Sequence, residues 1–124
     1  MNKIVRTVIE KMIHLPHDFK LVNKSELTLL EESGYFQCHD QISGNEIRQV
    51  LKSYPHLIEN WLQFSADCRS SEHWFFTKGE DGDCYVGHWP EGKEFGEVIT
   101  SDELYAWGVF IKREAEATRI LFDK

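Results

Sequence analysis

Residues 73–89, HWFFTKGEDGDCYVGHW, decide the architecture of the second half of the chain. The runs HWFFTK and CYVGHW are short and rich in aromatic and β-branched side chains, which is typical of strands. Between them, Asp81-Gly82 is a strong hairpin signal, because type I′ turns need positive φ. A third run of this kind, EFGEVIT, follows after PEGK. The stretch therefore predicts a three-stranded antiparallel meander.

Helices are predicted before this meander. Residues 2–14 carry apolar side chains at i, i+1, i+4 and i+5, and Pro16 is expected to end that amphipathic helix. Ser25 is predicted to cap a short helix that ends near Gly34. The next residues, 35–42, are predicted to form a link or a short extended piece.

Two further helices are predicted between this link and the meander. Ser43-Gly-Asn-Glu46 has the pattern of a capping box and opens a helix through about Ser53. Pro55 suits the first turn of the helix after it.

A long helix is predicted after the meander, opened by Thr100-Ser-Asp-Glu103 as a second capping box. N-terminal helices, a small sheet and a closing helix together make an α+β fold. A length of 124 residues suits a single domain, residues 1–124, around one core. We expect Trp61, Trp74 and Trp107 to lie in that core.

The net charge of −7 is concentrated in one segment. Residues 72–103 hold nine acids and two bases, whereas the rest of the chain holds 12 of each. Phosphate binding needs Lys and Arg, so direct binding to nucleic acid is not expected. A basic protein would be attracted, because opposite fields speed encounter.

The remaining composition predicts a cytoplasmic protein without a membrane segment. Charged residues interrupt the N-terminal apolar positions, so no signal peptide is expected. No run approaches the ~18 apolar residues of a membrane span. The three cysteines, Cys38, Cys68 and Cys84, lack CxxC spacing and are expected to be reduced, buried thiols.

Neither a metal site nor a catalytic motif is predicted. The acids of 78–89 lack the spacing of an EF-hand loop. Cys84 and His88 would lie roughly 13 Å apart along a strand, too far for two ligands of one zinc ion. Nucleophile elbow, P-loop, HExxH and dinucleotide fingerprints are absent from the sequence. We therefore predict no cofactor, no metal, no catalytic residues and no enzymatic activity.

A partner-binding surface is predicted around the acidic hairpin. Tyr85 and Trp89 share the strand alternation of Asp83, so the three can lie on one sheet face. Aromatic anchors ringed by charge suit a protein interface. The predicted partner-binding residues are Glu80, Asp81, Asp83, Tyr85, Trp89, Glu91, Glu94 and Glu97.

The tail EVITSDELYAWGVFIKREAEATRIL, with Phe110, Ile111, Lys112, Arg113 and Glu114, resembles the C-terminal helix of small bacterial immunity proteins. The small, acidic, motif-poor profile is similar to immunity proteins of contact-dependent growth inhibition systems. This resemblance implies a protein that binds and neutralises the toxin domain of a cognate delivered effector, often a nuclease.

Two other hypotheses remain open from the sequence. One is a small-molecule-binding or enzymatic α+β domain with a pocket between sheet and C-terminal helix, for example at His73, Cys84 and His88. The other is an adaptor in a protein–protein complex with no toxin.

Overall fold

The computed structural model describes residues 2–21, 25–67, 73–89 and 98–122. Within these ranges the chain forms seven α-helices and one three-stranded sheet. The helices are α1 (Lys3–Ile13), α2 (Leu15–Leu21), α3 (Glu26–Ser33), α4 (Tyr35–Cys38), α5 (Gly44–Leu51), α6 (Ile58–Asp67) and α7 (Glu103–Phe122). Short 3₁₀ turns at His39–Gln41 and Pro55–Leu57 precede α5 and α6.

The strands are β1 (His73–Lys78), β2 (Cys84–Trp89) and β3 (Val98–Thr100). They lie in the order β1-β2-β3, and both neighbouring pairs are antiparallel. The predicted α+β fold with N-terminal helices, a meander and a long C-terminal helix is therefore confirmed. Residues 94–97 of the predicted third strand lie outside the described residues.

Helix α7 lies at the centre of the core, between the sheet and α5. Its Trp107 stacks on Phe76 of β1, with ring centroids 3.8 Å apart and an angle of 12°. Phe110 packs edge-on against both Trp107 and Trp61. The indole of Trp61 also donates a hydrogen bond to the carbonyl of Ile13 at 2.9 Å, so a buried polar group is satisfied. Trp61, Trp74 and Trp107 are all buried, as predicted.

Glycines allow α5 and α7 to approach closely. A Cβ placed on Gly108 of α7 would lie 2.3 Å from the carbonyl oxygen of Gly44. A Cβ on Gly44 would in turn lie 2.9 Å from Cγ2 of Val109. Both positions need glycine because any side chain would push the two helices apart.

Several local predictions are wrong. Residues 35–42 form α4 and a 3₁₀ turn instead of an extended link. The reason is tertiary: Tyr35 and Cys38 are buried, and burial stabilises a single helical turn that would not form alone. Pro16 follows the end of α1, as expected, but it also lies in the first turn of the unpredicted α2.

The two predicted capping boxes also differ in detail. Ser43 precedes α5, but its hydroxyl donates to the Glu46 carboxylate and caps no backbone amide. Helix α7 starts at Glu103 and is capped by Asp102, which accepts from the amide of Tyr105 at 3.0 Å. Thr100 instead accepts from the amide of Asp102 at 3.1 Å. The sequence pattern located the helix starts but not the atoms that cap them.

Within the described ranges, no helix combines the length and the apolar character that crossing a membrane requires.

Replacing Gly108 by Ala should destabilise the protein by about 1–3 kcal/mol, because the new methyl group would meet backbone of α5. In an unobstructed helix the same change stabilises the protein by roughly 0.5–1 kcal/mol. The sign of the change in unfolding free energy therefore tests whether α5 and α7 cross this closely. Urea denaturation followed by circular dichroism would measure it. A variant more stable than the wild type would contradict the proposed contact.

Asp102 should make stability depend on pH. The amide of Tyr105 and the guanidinium of Arg48, 2.7 Å away, hold the pKa of Asp102 below its usual range. The contribution of Asp102 to folding stability is therefore present above its unfolded-state pKa and is lost as the pH falls through its folded-state pKa.

Asp102→Asn keeps an acceptor for Tyr105 but removes the charge. We expect this variant to lose less stability than the wild type on acidification, as measured by urea midpoints at neutral pH and about pH 3. Arg48→Gln should reproduce part of the effect. An equal acid loss in wild type and Asp102→Asn would contradict this assignment.

Candidate functional site

The turn between β1 and β2 is held in one shape by hydrogen bonds. The amide of Gly79 donates to the carbonyl of Asp83 at 2.8 Å, and the amide of Gly82 donates to the carbonyl of Gly79 at 3.1 Å. The Asp81 carboxylate accepts from the amide of Asp83 at 3.1 Å. We call residues 79–83 the acidic turn.

The acidic turn is not the predicted type I′ turn. Gly82 has φ +89°, but Asp81 does not have positive φ. This pattern matches a longer hairpin loop in which a type I turn is followed by a left-handed glycine. Asp81 can keep an ordinary backbone conformation because the extra residues of the loop reverse the chain direction.

Three acids of the turn are exposed and available to a partner. Glu80, Asp81 and Asp83 are exposed, and within the described ranges they form no ion pair. Two other acids of the negatively charged segment, residues 72–103, are paired with cations in the folded chain. Asp102 pairs with Arg48 at 2.7 Å, and Glu103 pairs with Lys78 at 2.8 Å. The negative field of the described segment is therefore concentrated at the turn.

The outer face of the sheet continues from the acidic turn. Thr77, Tyr85 and Ile99 are direct neighbours across the three strands, and Phe75 lies opposite Gly87. Ile99 is 72% exposed, and the rings of Phe75 and Tyr85 are half-buried. We call Phe75, Thr77, Tyr85, Gly87 and Ile99 the outer face. The inner positions Phe76, Cys84 and Val86 belong to or pack against the core.

The aromatic rings of the outer face fold over Gly87. The ring centroids of Phe75 and Tyr85 are 5.5 Å apart at an angle of 54°. A Cβ on Gly87 would lie 2.7 Å from Cε1 of Tyr85 and 2.8 Å from Cζ of Phe75. The missing side chain at Gly87 thus lets the two rings form a continuous apolar surface beside the acids.

The structure places half of the predicted partner-binding residues. It brings Glu80, Asp81 and Asp83 together at the turn, with Tyr85 on the outer face. The backbone of Trp89 lies opposite His73 at the far end of β2, but its side chain is outside the description. The positions of Glu91, Glu94 and Glu97 also lie outside the described residues.

Sequence reasoning missed Phe75 and Ile99. The signal that could have found them is alternation: Phe75 is two residues before Thr77, and a paired strand places Ile99 opposite Tyr85. Finding both residues also requires the register of all three strands, and the pattern of a single strand does not supply that register.

The strand register separates Cys84 from His73, two of the three residues named for the alternative pocket hypothesis. Cys84 pairs with Lys78 beside the turn, whereas His73 pairs with Trp89 at the other end of the ladder. Five residues of strand separate these positions, or about 17 Å. Cys84 is fully buried, and burial raises the pKa of its thiol, which favours the unreactive neutral form.

A metal centre finds no support in the part of the chain that is described. There, no three His, Cys, Asp or Glu side chains lie close enough to hold an ion.

Comparison with known proteins adds no relative: no protein-family model, curated protein or solved structure matches this chain.

Replacing Gly87 by Ala should swing the rings of Phe75 and Tyr85 off the strand. The cost should be small, at or below about 1 kcal/mol, because ring tips move more easily than backbone. Nuclear Overhauser contacts from both rings to residue 87 would report the change. Thr77→Ala on the same face is the matched control and should leave them in place. Unchanged ring contacts in Gly87→Ala would contradict the packing described.

Proposed function

We propose that this chain is a bacterial immunity protein that binds and neutralises a basic toxin domain, for which a nuclease is the best candidate. One observation carries the proposal: an exposed, hydrogen-bonded turn, whose three acids form no ion pair with another described residue, adjoins a partly exposed aromatic and aliphatic sheet face. The resemblance of the tail to immunity proteins supports the same assignment. The proposal places the chain in the cytoplasm, where such a toxin acts.

The two parts of this surface suit different stages of binding. Charge on the acidic turn attracts a basic partner from a distance and raises the association rate. The outer face supplies apolar area that loses water on contact, and interface centres are typically aromatic and depleted of charge. The acids beside it would then form the polar rim.

The acidic turn also suggests how inhibition would work. A nuclease needs Lys and Arg at its active site to hold phosphates. Carboxylates of Glu80, Asp81 and Asp83 can occupy the same cationic positions, so the immunity protein would compete with nucleic acid. Because the turn is already ordered by its own hydrogen bonds, little conformational entropy is lost on binding.

The three acids call for different substitutions. Asp81 holds the turn through the amide of Asp83, so reversing its charge would also disturb the loop. Asp81→Asn removes the charge and keeps the acceptor. Among the described residues, the side chains of Glu80 and Asp83 form no hydrogen bond that holds the turn, so Lys can replace either one while the turn persists.

Glu80→Lys/Asp83→Lys should slow association with the toxin by on the order of tenfold or more at low salt. The partner to test is the product of the gene directly upstream, co-purified with this chain and studied by stopped-flow or surface plasmon resonance. The wild-type rate should fall with added salt, and the variant should show a weaker dependence. Asp81→Asn should have a smaller effect in the same direction.

The matched control is Glu31→Lys/Glu59→Lys, which makes the same change in net charge on exposed helix positions. It should change the rate much less than the turn variant. Equal slowing by both variants would show that only net charge matters and would remove the turn as the docking site. Absence of a complex at low and high salt would overturn the immunity assignment itself.

A further inference from the structure

A groove of about 650 Å³ lies between α1 and α4. Residues of α1 and its cap, from Asn2 to Lys11, form one wall, and residues between Ser33 and Gln41 form the other. No residue of the acidic turn or the outer face lines it. The groove is therefore a second surface, separate from the one proposed to bind the toxin.

The floor of the groove is apolar. Val5, Val8 and Cys38 line it, and beside them the side chain of Ile4 is 71% exposed. A single exposed apolar side chain is ordinary, but here it continues an apolar floor that is already concave. A partner that covered Ile4 and the floor together would remove one connected apolar area from water.

The groove is cationic, although the chain as a whole carries a net charge of −7. Among the described residues that line it, Lys3 and Lys11 are the only charged ones. Both side chains are exposed and form no ion pair with another described residue. Two cations with no carboxylate beside them in the lining favour an occupant of negative charge.

Side-chain amides on the opposite wall favour a peptide as that occupant. Gln37 and Gln41 line the groove and are exposed, and their side chains form no hydrogen bond with another described residue. A primary amide has two N–H donors and an acceptor oxygen, so it can pair with the N–H and C=O groups of an extended peptide. The hydrocarbon chain of a lipid has no group that would use them.

The spacing of the two lysines suggests the pattern of such a peptide. Lys3 and Lys11 are eight residues apart on α1, which is about 12 Å along the helix axis. In an extended peptide, residues i and i+4 are about 13 Å apart, and residue i+2 points to the same side as both. Two acids at i and i+4 can therefore reach both lysines while an apolar residue at i+2 meets the floor.

We infer that this groove binds an extended acidic segment of a partner protein, with the pattern acid–x–apolar–x–acid. Its two carboxylates pair with Lys3 and Lys11, and its central side chain packs on Ile4 and Val8. The groove and the acidic turn share no residue, so this inference stands whether or not the chain binds a toxin.

The test is a titration of the full chain with the acetylated and amidated pentapeptide EALAE, followed by nuclear magnetic resonance. Chemical shifts of Ile4, Val8 and Gln37 should change saturably, with a dissociation constant in the millimolar range because exposed ion pairs are weak. Resonances of the acidic turn should not move. The absence of any saturable change in the groove overturns the inference.

Control probes separate the contributions and the other possible occupants. The peptides QALAQ, without charge, and EASAE, without the apolar side chain, should both bind more weakly than EALAE. Equal binding by either one overturns the proposed pattern. Sodium octanoate bound at least as tightly as EALAE would identify a site for small amphiphiles instead. Groove shifts that change on dilution of the chain alone would identify a second copy as the occupant.

Variants at exposed positions complete the test and leave the core intact. Lys3→Gln and Lys11→Gln should each weaken EALAE binding by up to about fivefold, and Ile4→Ser should also weaken it. Lys52→Gln is the matched control, because it removes an exposed lysine that does not line the groove. Equal weakening by Lys52→Gln would show non-specific attraction, and unchanged affinity in both groove lysine variants would likewise overturn the site.

Discussion

The close crossing of α5 and α7 is the constraint on which the other described contacts depend. Gly44 and Gly108 bring the two backbones so near that no side chain fits between them. This proximity seats α7 deeply enough for its other side to meet the sheet through Trp107 and Phe76. One helix thus carries both layers of the core, and interiors packed to this density tolerate little displacement.

This position of α7 divides the sheet into two faces with different physical character. The inner face is used by the core, so its aromatic residues are unavailable to a partner. The outer face keeps Tyr85, Phe75 and Ile99 partly exposed, because only the opposite side of each strand is covered by α7. An antiparallel sheet can leave one face open in this way, since its strands need no crossover helices on both sides.

The same fold determines which charged side chains are paired and which remain exposed. Asp102 and Glu103 belong to the acidic segment, but they stabilise the start of α7 and pair with Arg48 and Lys78. The acids of the turn form no ion pair with another described residue, so their negative charge stays exposed to a partner. Elsewhere, Nε of Arg113 is buried and has no hydrogen-bond acceptor among the described residues.

Much of this architecture was determined locally by the sequence. Periodicity and turn residues predicted α1, α3, the strands and the long last helix, because these signals act over neighbouring residues. The exposed acids of the turn were also predictable, since GEDGD cannot form a strand or enter a core. Tertiary contacts alone decided α4, which depends on the burial of Tyr35, and the cap of α7, where Asp102 is held by Arg48 from α5. They also decided that Phe75 and Ile99 join Tyr85, and that Lys112 and Arg113 line the same cleft as Ser43 and Gly44. These groups are far apart in the chain, so no local pattern records their distance; strand pairing and the packing of α7 bring them together.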